Sequence, residues 1–256
     1  MTTGPVLLLH AFPCSGQMWA AQADALSVAG WDVVVPDLPG FGESDLLDAL
    51  AARGREALSD GACVLRAAAI DDADALLTAI ADVCRAAPPR HLLVPGGKRM
   101  SVAMSNCGAL GWVSDARGYR YERCDPLSGQ PWPPMPEPML RVARAAAAES
   151  GYDGFAPDAC LINRYEPGAR MSLHRDHDEG DLSAPIVSIS LGLPATFLWG
   201  GLARSDKPRR LRLAHGDVVV WGGASRLAYH GVAPLADGHH AATGRLRWNL
   251  TFRKAR

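Results

Sequence analysis

No sign of charge dominates this sequence. Lysine and arginine number 26 against 27 aspartate and glutamate, a formal net charge of −1. There is no global basic field to draw in a polyanion, so any nucleic-acid contact has to be built locally. Long apolar runs are missing too. The opening offers only Val6–Leu9, with no basic lead, which argues against a secretory signal. No stretch approaches the roughly 18 apolar residues of a membrane span, so no membrane role is expected. The six cysteines, at 14, 63, 84, 107, 124 and 160, include no C-x-x-C pair. Neither a zinc site nor a secreted disulfide framework is expected, and the reducing cytoplasm is the simplest home. What is present is core material: 48% of the 256 residues are hydrophobic and 21% charged. At about 100–200 residues per domain, that suits one large domain, or one domain plus a fragment.

Two styles of sequence meet near residue 45. Val6–Leu9, a helix-like stretch from Trp19 to Ala29, Gly30 and the run Trp31–Val35 form a βαβ pattern of strands made to be buried. The turns His10-Ala11-Phe12-Pro13 and Asp37 to Ser44 (DLPGFGES) resemble the start of an α/β-hydrolase, over the first 45 residues only. Hydrolase chemistry needs a G-x-S-x-G elbow, and none occurs: after Gly42-Glu43-Ser44, Leu46 stands in the place of the closing glycine. Gly40-Phe41-Gly42 is no dinucleotide fingerprint either, because Asp45 replaces the third glycine. The opening reads as a fragment without its chemistry, spanning 1–45, ahead of a second domain spanning 46–256.

From Leu46 the pattern predicts a helix, a strand at Ala62–Arg66 and a helix from Asp72 to Arg85 closed by Pro88-Pro89. Strands follow at Arg99–Ser105 and Gly118–Tyr121, then a helix from Met139 to Ser150 ended by Gly151. After that come only short β runs: 158–165, 186–191, 196–198, 210–213, 217–221, 226–229 and 245–252. Helices first and spaced strands after indicate an α+β protein built on a β-sandwich or barrel.

His174-Arg175-Asp176 is an H-x-D element. On extended backbone its first and third side chains point the same way, offering one imidazole and one carboxylate. A further histidine would complete the facial triad that leaves adjacent positions open on Fe(II). Alone the element is weak, since such a triplet also arises in solvated loops of alternating charge. His230, at the end of a strand-like run and before Gly231, is the best distal ligand, though a structural histidine fits there as well. His215 sits in the turn Ala214-His215-Gly216-Asp217 and suits capping, while His239 and His240 fall in a loop where exposure is expected.

In the last strand Arg247, Asn249, Thr251 and Arg253 alternate with Trp248, Leu250 and Phe252. With period two, one face is apolar and the other carries two guanidinium groups and an amide. That face is either a solvated edge or the wall of a barrel interior, where two arginines are costly without an anion. A dicarboxylate suits them, because arginine grips carboxylates with two parallel hydrogen bonds. Asn163 and Tyr165 repeat the theme on another strand.

Together these residues resemble the AlkB family of nucleic-acid dealkylases, over roughly residues 46–256. The matching runs are 161–168 (LINRYEPG), 173–179 (LHRDHDE), 186–194, 215–223, Tyr229-His230-Gly231 and 247–253 (RWNLTFR). Upstream, 100–108 (MSVAMSNCG), Gly111-Trp112 and Asp158-Ala159-Cys160 also match. The resemblance implies a double-stranded β-helix (jelly-roll, cupin-like) core with N-terminal helices and a lid. It implies that His174, Asp176 and His230 bind Fe(II), and that Arg247, Asn249 and Tyr165 hold the distal carboxylate of 2-oxoglutarate, with Asn163 and Arg253 near its other end. Trp112 and the His174 ring would sandwich the damaged base, Asp178 and Glu179 would face its polar edge, and Tyr119 and Arg204 would contact phosphate or the lid. Val94 and Lys98 depart from the pattern, standing where a hydroxyl-bearing residue is expected in the lid.

The implied reaction is oxidative demethylation of 1-methyladenine and 3-methylcytosine in single-stranded DNA or RNA. It consumes O2 and 2-oxoglutarate and yields succinate, carbon dioxide and formaldehyde, with no obligate protein partner indicated. A duplex base must be flipped to react, and one that cannot pair is cheap to extrude. Arg204, Lys207, Arg209, Arg210 and Arg212 either follow a phosphate backbone or form a solvated hairpin. The rivals are a related oxygenase acting on a small molecule or protein side chain, a hydrolase, and a non-catalytic nucleic-acid binder.

Overall fold

The computed structural model describes residues 6–9, 16–35 and 53–256, and the chain divides into two compact units, Met1–Ala51 and Ala52–Arg256. In the first, β1 (Val6–Leu7) and β2 (Val33–Val34) pair in parallel around α1 (Ala20–Val28). The pairing is two residues long, and no residue of α1 is buried. The hydrolase-like turns at 10–13 and 37–44 lie outside the described residues.

The second unit is a jelly roll. Its larger sheet is wholly antiparallel, in the order β3 (Gly54–Ser59), β4 (Ala62–Arg66), β14 (Val218–Trp221), β11 (Ile186–Gly192), β16 (Arg247–Arg253), β9 (Ala159–Tyr165), β6 (Arg99–Gly108) and β5 (Arg90–Leu93). The smaller sheet runs β10 (Met171–His174), β15 (His230–Val232), β12 (Ala195–Trp199), β13 (Arg209–Leu213). A separate hairpin joins β7 (Gly111–Asp115) to β8 (Gly118–Glu122).

Both faces of the inner strands of the larger sheet are buried, and alternation sorts the side chains between them. Val218, Val220, Leu250 and Phe252 pack under α2 (Ala73–Ala86) and α3 (Glu137–Glu149), against Leu76, Ile80, Met139 and Val142. Val219 and Trp221 point the other way, toward Phe197, Trp199 and Leu213 of the smaller sheet. The amphipathic stripe of α2 (Ala73, Leu76, Ala79, Ile80, Val83) is the buried one, at the helical spacing that marked it in the sequence.

Two expectations need correction. Residues 54–59 are strand, not helix: Arg, Glu, Ala and Leu favour helix, but pairing with β4 at a sheet edge overrides that preference. Residues 226–229 form no strand, because a 3-10 turn at Gly223–Ser225 precedes them and β15 begins only at His230. The strands β5, β7 and β10 carry no alternation clear enough to forecast.

Candidate metal and cosubstrate site

His174 ends β10 and His230 begins β15, and the two are register partners across the smaller sheet. Their rings therefore face one another, centroids 4.5 Å apart. Asp176 reaches in from the loop after β10, with Oδ1 3.6 Å from His174 Nε2 and Oδ2 3.9 Å from His230 Nε2. One ligand atom from each of the three lies within 4.8 Å of the others, a spacing that fits a single first-row metal ion. Nδ1 of His174 lies 2.9 Å from Ser172 O and Nδ1 of His230 lies 3.1 Å from Ala228 O. A proton on each Nδ1, donated to its carbonyl, leaves each Nε2 lone pair aimed at the centre. Burial, helped by the neighbouring His174, draws the His230 pKa down to about 4, so its imidazole is neutral and ready to coordinate at pH 7. Burial pushes the Asp176 carboxyl up, but Arg253, His230 and His174 outweigh it and hold the group well below the usual carboxylate range. Gly231 matters here because a Cβ on it would stand 2.7 Å from Met171 O, too close for β10 and β15 to meet.

Behind this centre lies a cavity of about 690 Å³ whose wall includes the inward face of β16. Arg247 is 1% exposed. Its Nη2 donates to Ser190 Oγ at 3.0 Å and its guanidinium lies 4.9 Å from the Tyr165 ring centroid, while Nε and Nη1 have no partner among the described residues. Burial lowers its pKa. An unmet, forked donor on the wall of this cavity fits the carboxylate of a dicarboxylic acid. Asn163 Oδ1 is also unmet. Asn249 is fully engaged: its Nδ2 donates to Ser188 Oγ and Ile189 O, and its Oδ1 accepts from Asn163 and Thr251. Arg253 points both Nε and Nη2 at Asp176 Oδ2, at 3.0 and 2.7 Å. β16 is thus no solvated edge; it lies between β11 and β9.

At the mouth, Trp112 Nε1 donates to Asp178 Oδ2 at 3.0 Å, and Tyr119 stacks on Trp112 at 5.4 Å and 15°. The Trp112 backbone is clamped by both ends of the Asn106 amide. Arg204, Val94 and Lys98 also line the cavity. Glu179 is deeper, 7% exposed.

A family described as the 2OG-Fe(II) oxygenase superfamily matches residues 62–253, and one described as alpha/beta hydrolase fold matches residues 4–60. The alpha-ketoglutarate-dependent dioxygenase AlkB of Salmonella typhimurium is 57% identical over 201 residues, covering 78% of this chain and 93% of that protein. The Escherichia coli protein of the same name is 55% identical over the same shares. The chain belongs to the AlkB family of 2OG-Fe(II) oxygenases. The solved structure of OsALKBH1 superposes on 78% of this chain and 100% of its own, with a TM-score of 0.69 at 27% identity. This AlkB-family enzyme is therefore a dioxygenase that works with Fe(II) and 2-oxoglutarate, and the donor set above suits both.

Elsewhere in the AlkB-type domain, the histidines set aside from the sequence divide. His215 stays out of the metal site, but it caps the end of β11 rather than its own turn: its Nδ1 accepts from Gly192 N at 2.8 Å, and Asp217 serves Ala214 N instead. His240 is not exposed; its ring packs 4.5 Å from that of His215 and it is 6% accessible, because the 240–244 turn folds back on itself. Arg209 is tied to Glu56 at 2.5 Å, whereas Arg210 and Arg212 stand on the exposed face of β13. Sequence reasoning missed Ser188 and Ser190, which serve Asn249 and Arg247. Their signal was present as polar residues at period two within an apolar strand. It missed Tyr121 and Arg226 for want of any local signal.

Proposed function

We propose that this enzyme removes alkyl groups from cationic damaged bases, 1-methyladenine and 3-methylcytosine, in single-stranded or locally opened DNA or RNA, as a direct-reversal repair activity. The observation that carries this is the Trp112–Asp178 pair at the mouth of the metal cavity. A ring face and a carboxylate side by side suit a flat cation, the ring adding about 0.5–2 kcal/mol by cation–π attraction. The Tyr119–Trp112 stack supports the same use, since bases stack on exposed aromatics for about 1–3 kcal/mol each.

In this reading His174, Asp176 and His230 hold Fe(II). Arg247 and Tyr165 anchor the distal carboxylate of 2-oxoglutarate, Asn163 and Asn249 shape the cavity beside it, and Arg253 steadies Asp176. Trp112 and the accessible face of His174 bracket the base, Asp178 meets its charge, and Tyr119 and Arg204 meet the flanking backbone. Bound iron and 2-oxoglutarate, with O2, supply hydroxylation of the alkyl carbon and leave succinate and carbon dioxide. The hydroxymethyl amine so formed loses formaldehyde unaided, which is why no side-chain nucleophile is needed. The buried walls of the cavity exclude water and the clamped Trp112 fixes the base, so the chain's contribution is orientation.

The working domain in this reading is 46–256, and 1–45 is a hydrolase-like fragment outside the reaction. Cys63, Cys84, Cys107, Cys124 and Cys160 are free thiols, which supports a reducing cytoplasm. Among the described residues no helix is long and apolar enough to cross a membrane. The decisive assay is release of formaldehyde and succinate from oligonucleotides carrying 1-methyladenine or 3-methylcytosine, with Fe(II) and 2-oxoglutarate. Formaldehyde from the methylated strand alone is expected; succinate made only with small molecules or peptides would move the substrate elsewhere.

A further inference from the structure

The hairpin that carries Trp112 is fastened to the loop that carries Asp176 at two neighbouring points. Trp112 on β7 and Tyr121 on β8 are direct register partners, so both side chains leave the hairpin on one face. Two consecutive carboxylates of the metal loop receive them: Asp178 accepts from Trp112 Nε1, and Glu179 Oε1 accepts from Tyr121 Oη at 2.6 Å. Asp178 is accessible. Glu179 is not, and its oxygens are occupied. Besides Tyr121, Oε1 lies 3.3 Å from Arg253 Nε and Oε2 accepts from Arg226 Nη2 at 3.1 Å.

Arg226 is 3% exposed and spends its other donors on backbone. Its Nη1 bonds Asp176 O at 2.9 Å and its Nε bonds Ala184 O at 3.0 Å. The next residue, Gly180, is pinned through its N–H to Ala255 O. Glu179 therefore stands between two guanidinium groups, one holding the Asp176 backbone and the other its side chain. A carboxylate with both oxygens engaged at this depth is turned into the fold rather than offered to a base at the mouth.

We propose that Glu179, with Tyr121 and Arg226, is a positioning residue that sets the base platform and the metal carboxylate as one rigid unit. This rests on the dealkylase reading for the platform's role. It departs from the expectation that Glu179 touches the substrate. Tyr121 ties in the hairpin, Arg226 ties in the Asp176 backbone, and the Glu179 charge keeps Arg253 from pressing on Asp176 alone.

Two variants separate the halves. Tyr121→Phe keeps the ring packed against Leu110, Ala159 and Ala255 and removes only the hydroxyl. It is expected to raise KM for a methylated oligonucleotide about tenfold, a hydrogen bond to a charged group being at stake. Its kcat and its Mn(II) affinity by calorimetry without oligonucleotide should stay within twofold of the parent. Glu179→Gln keeps the shape and removes the charge, and is expected to weaken substrate-free Mn(II) binding about 10–100-fold. Unchanged KM in Tyr121→Phe overturns the proposal. So does Glu179→Gln with parental Mn(II) affinity and a loss confined to cationic lesions, the behaviour of a base contact. Should Glu179→Gln not fold, the Tyr121→Phe comparison decides alone. If the parent releases formaldehyde from no methylated strand, the substrate reading fails, and weakened Mn(II) binding in Glu179→Gln still upholds the positioning role.

Discussion

Arg247 and Arg253 stand six residues apart on one strand, point to one side and are both buried, at 1% and 6% exposure. Their surroundings differ in kind. Arg253 meets Asp176 twice and Glu179 once. Burial lowers its pKa, but Asp176, Tyr121 and Glu179 more than reverse that, so its charge is held. Arg247 has a hydroxyl and a ring face, two idle donors and a lowered pKa. A buried ion costs several kcal/mol unless matched. One arginine is matched within the fold; the other, in the proposed reading, is kept at the expense of stability until the carboxylate of 2-oxoglutarate arrives.

The comparison breaks most visibly at Asp176. Asp176→Ala should end succinate production, as should alanine at His174 or His230, since each leaves too few ligands. Asp176→Ala alone among them should also lower unfolding free energy by about 3–5 kcal/mol, because it strips Arg253 of its main partner. Urea titration of the three variants checks this, and equal midpoints would mean that Glu179 suffices. Next, Arg247→Met should raise KM for 2-oxoglutarate about 100-fold, as expected for losing charged hydrogen bonds. The unliganded protein should be as stable as the parent or more so. Saturating 2-oxoglutarate, about 2.7 kcal/mol of stabilisation at a hundred times Kd, should protect the parent and not this variant in a thermal scan. If Arg247→Met instead destabilises as Arg253→Met does, the contrast is void.

A smaller effect is expected at the mouth. Asp178→Asn should impair turnover of 1-methyladenine and 3-methylcytosine about tenfold, the scale of one charge-assisted contact, and leave 2-oxoglutarate KM intact. Kinetics unchanged on both lesions would remove the carboxylate from base recognition. Smallest of all, a chain beginning at Leu46 should match the full chain in formaldehyde release at equal iron loading, and in the behaviour of both arginines. A large loss of activity with the circular dichroism spectrum intact would make 1–45 part of the working enzyme.

The fold and site were legible in the sequence only where the information is local. The alternation of 247–253 and the H-x-D triplet are local, and the structure keeps both. The link between His174 and His230 is not local: 56 positions apart, they meet through strand pairing, which leaves no mark at either one. Asn249 shows the limit of a face assignment. It lies on the polar side as expected, yet its donors serve β11, because Ser188 and the Ile189 carbonyl are nearer than the cavity. Arg226 looked like part of a strand and Glu179, beside Asp178, like a contact for the base; only the folded loop reveals that they are buried together. Residues 54–59 misled for the opposite reason, since helix-favouring side chains say nothing about an available sheet edge.

The pairing of β10 with β15 slips once. Met171 lies opposite Val232 and His174 opposite His230, three steps along one strand for two along the other. One residue too many in β10 rotates the end of that strand by half a turn of the pleat, and that half-turn carries His174 to the side of Met171, into the cavity, rather than out to solvent. Without it, His174 would face away from the cavity, and Asp176 and His230 would stand without their third partner. The meeting of these three side chains thus depends on one irregular step of backbone as much as on which residues they are.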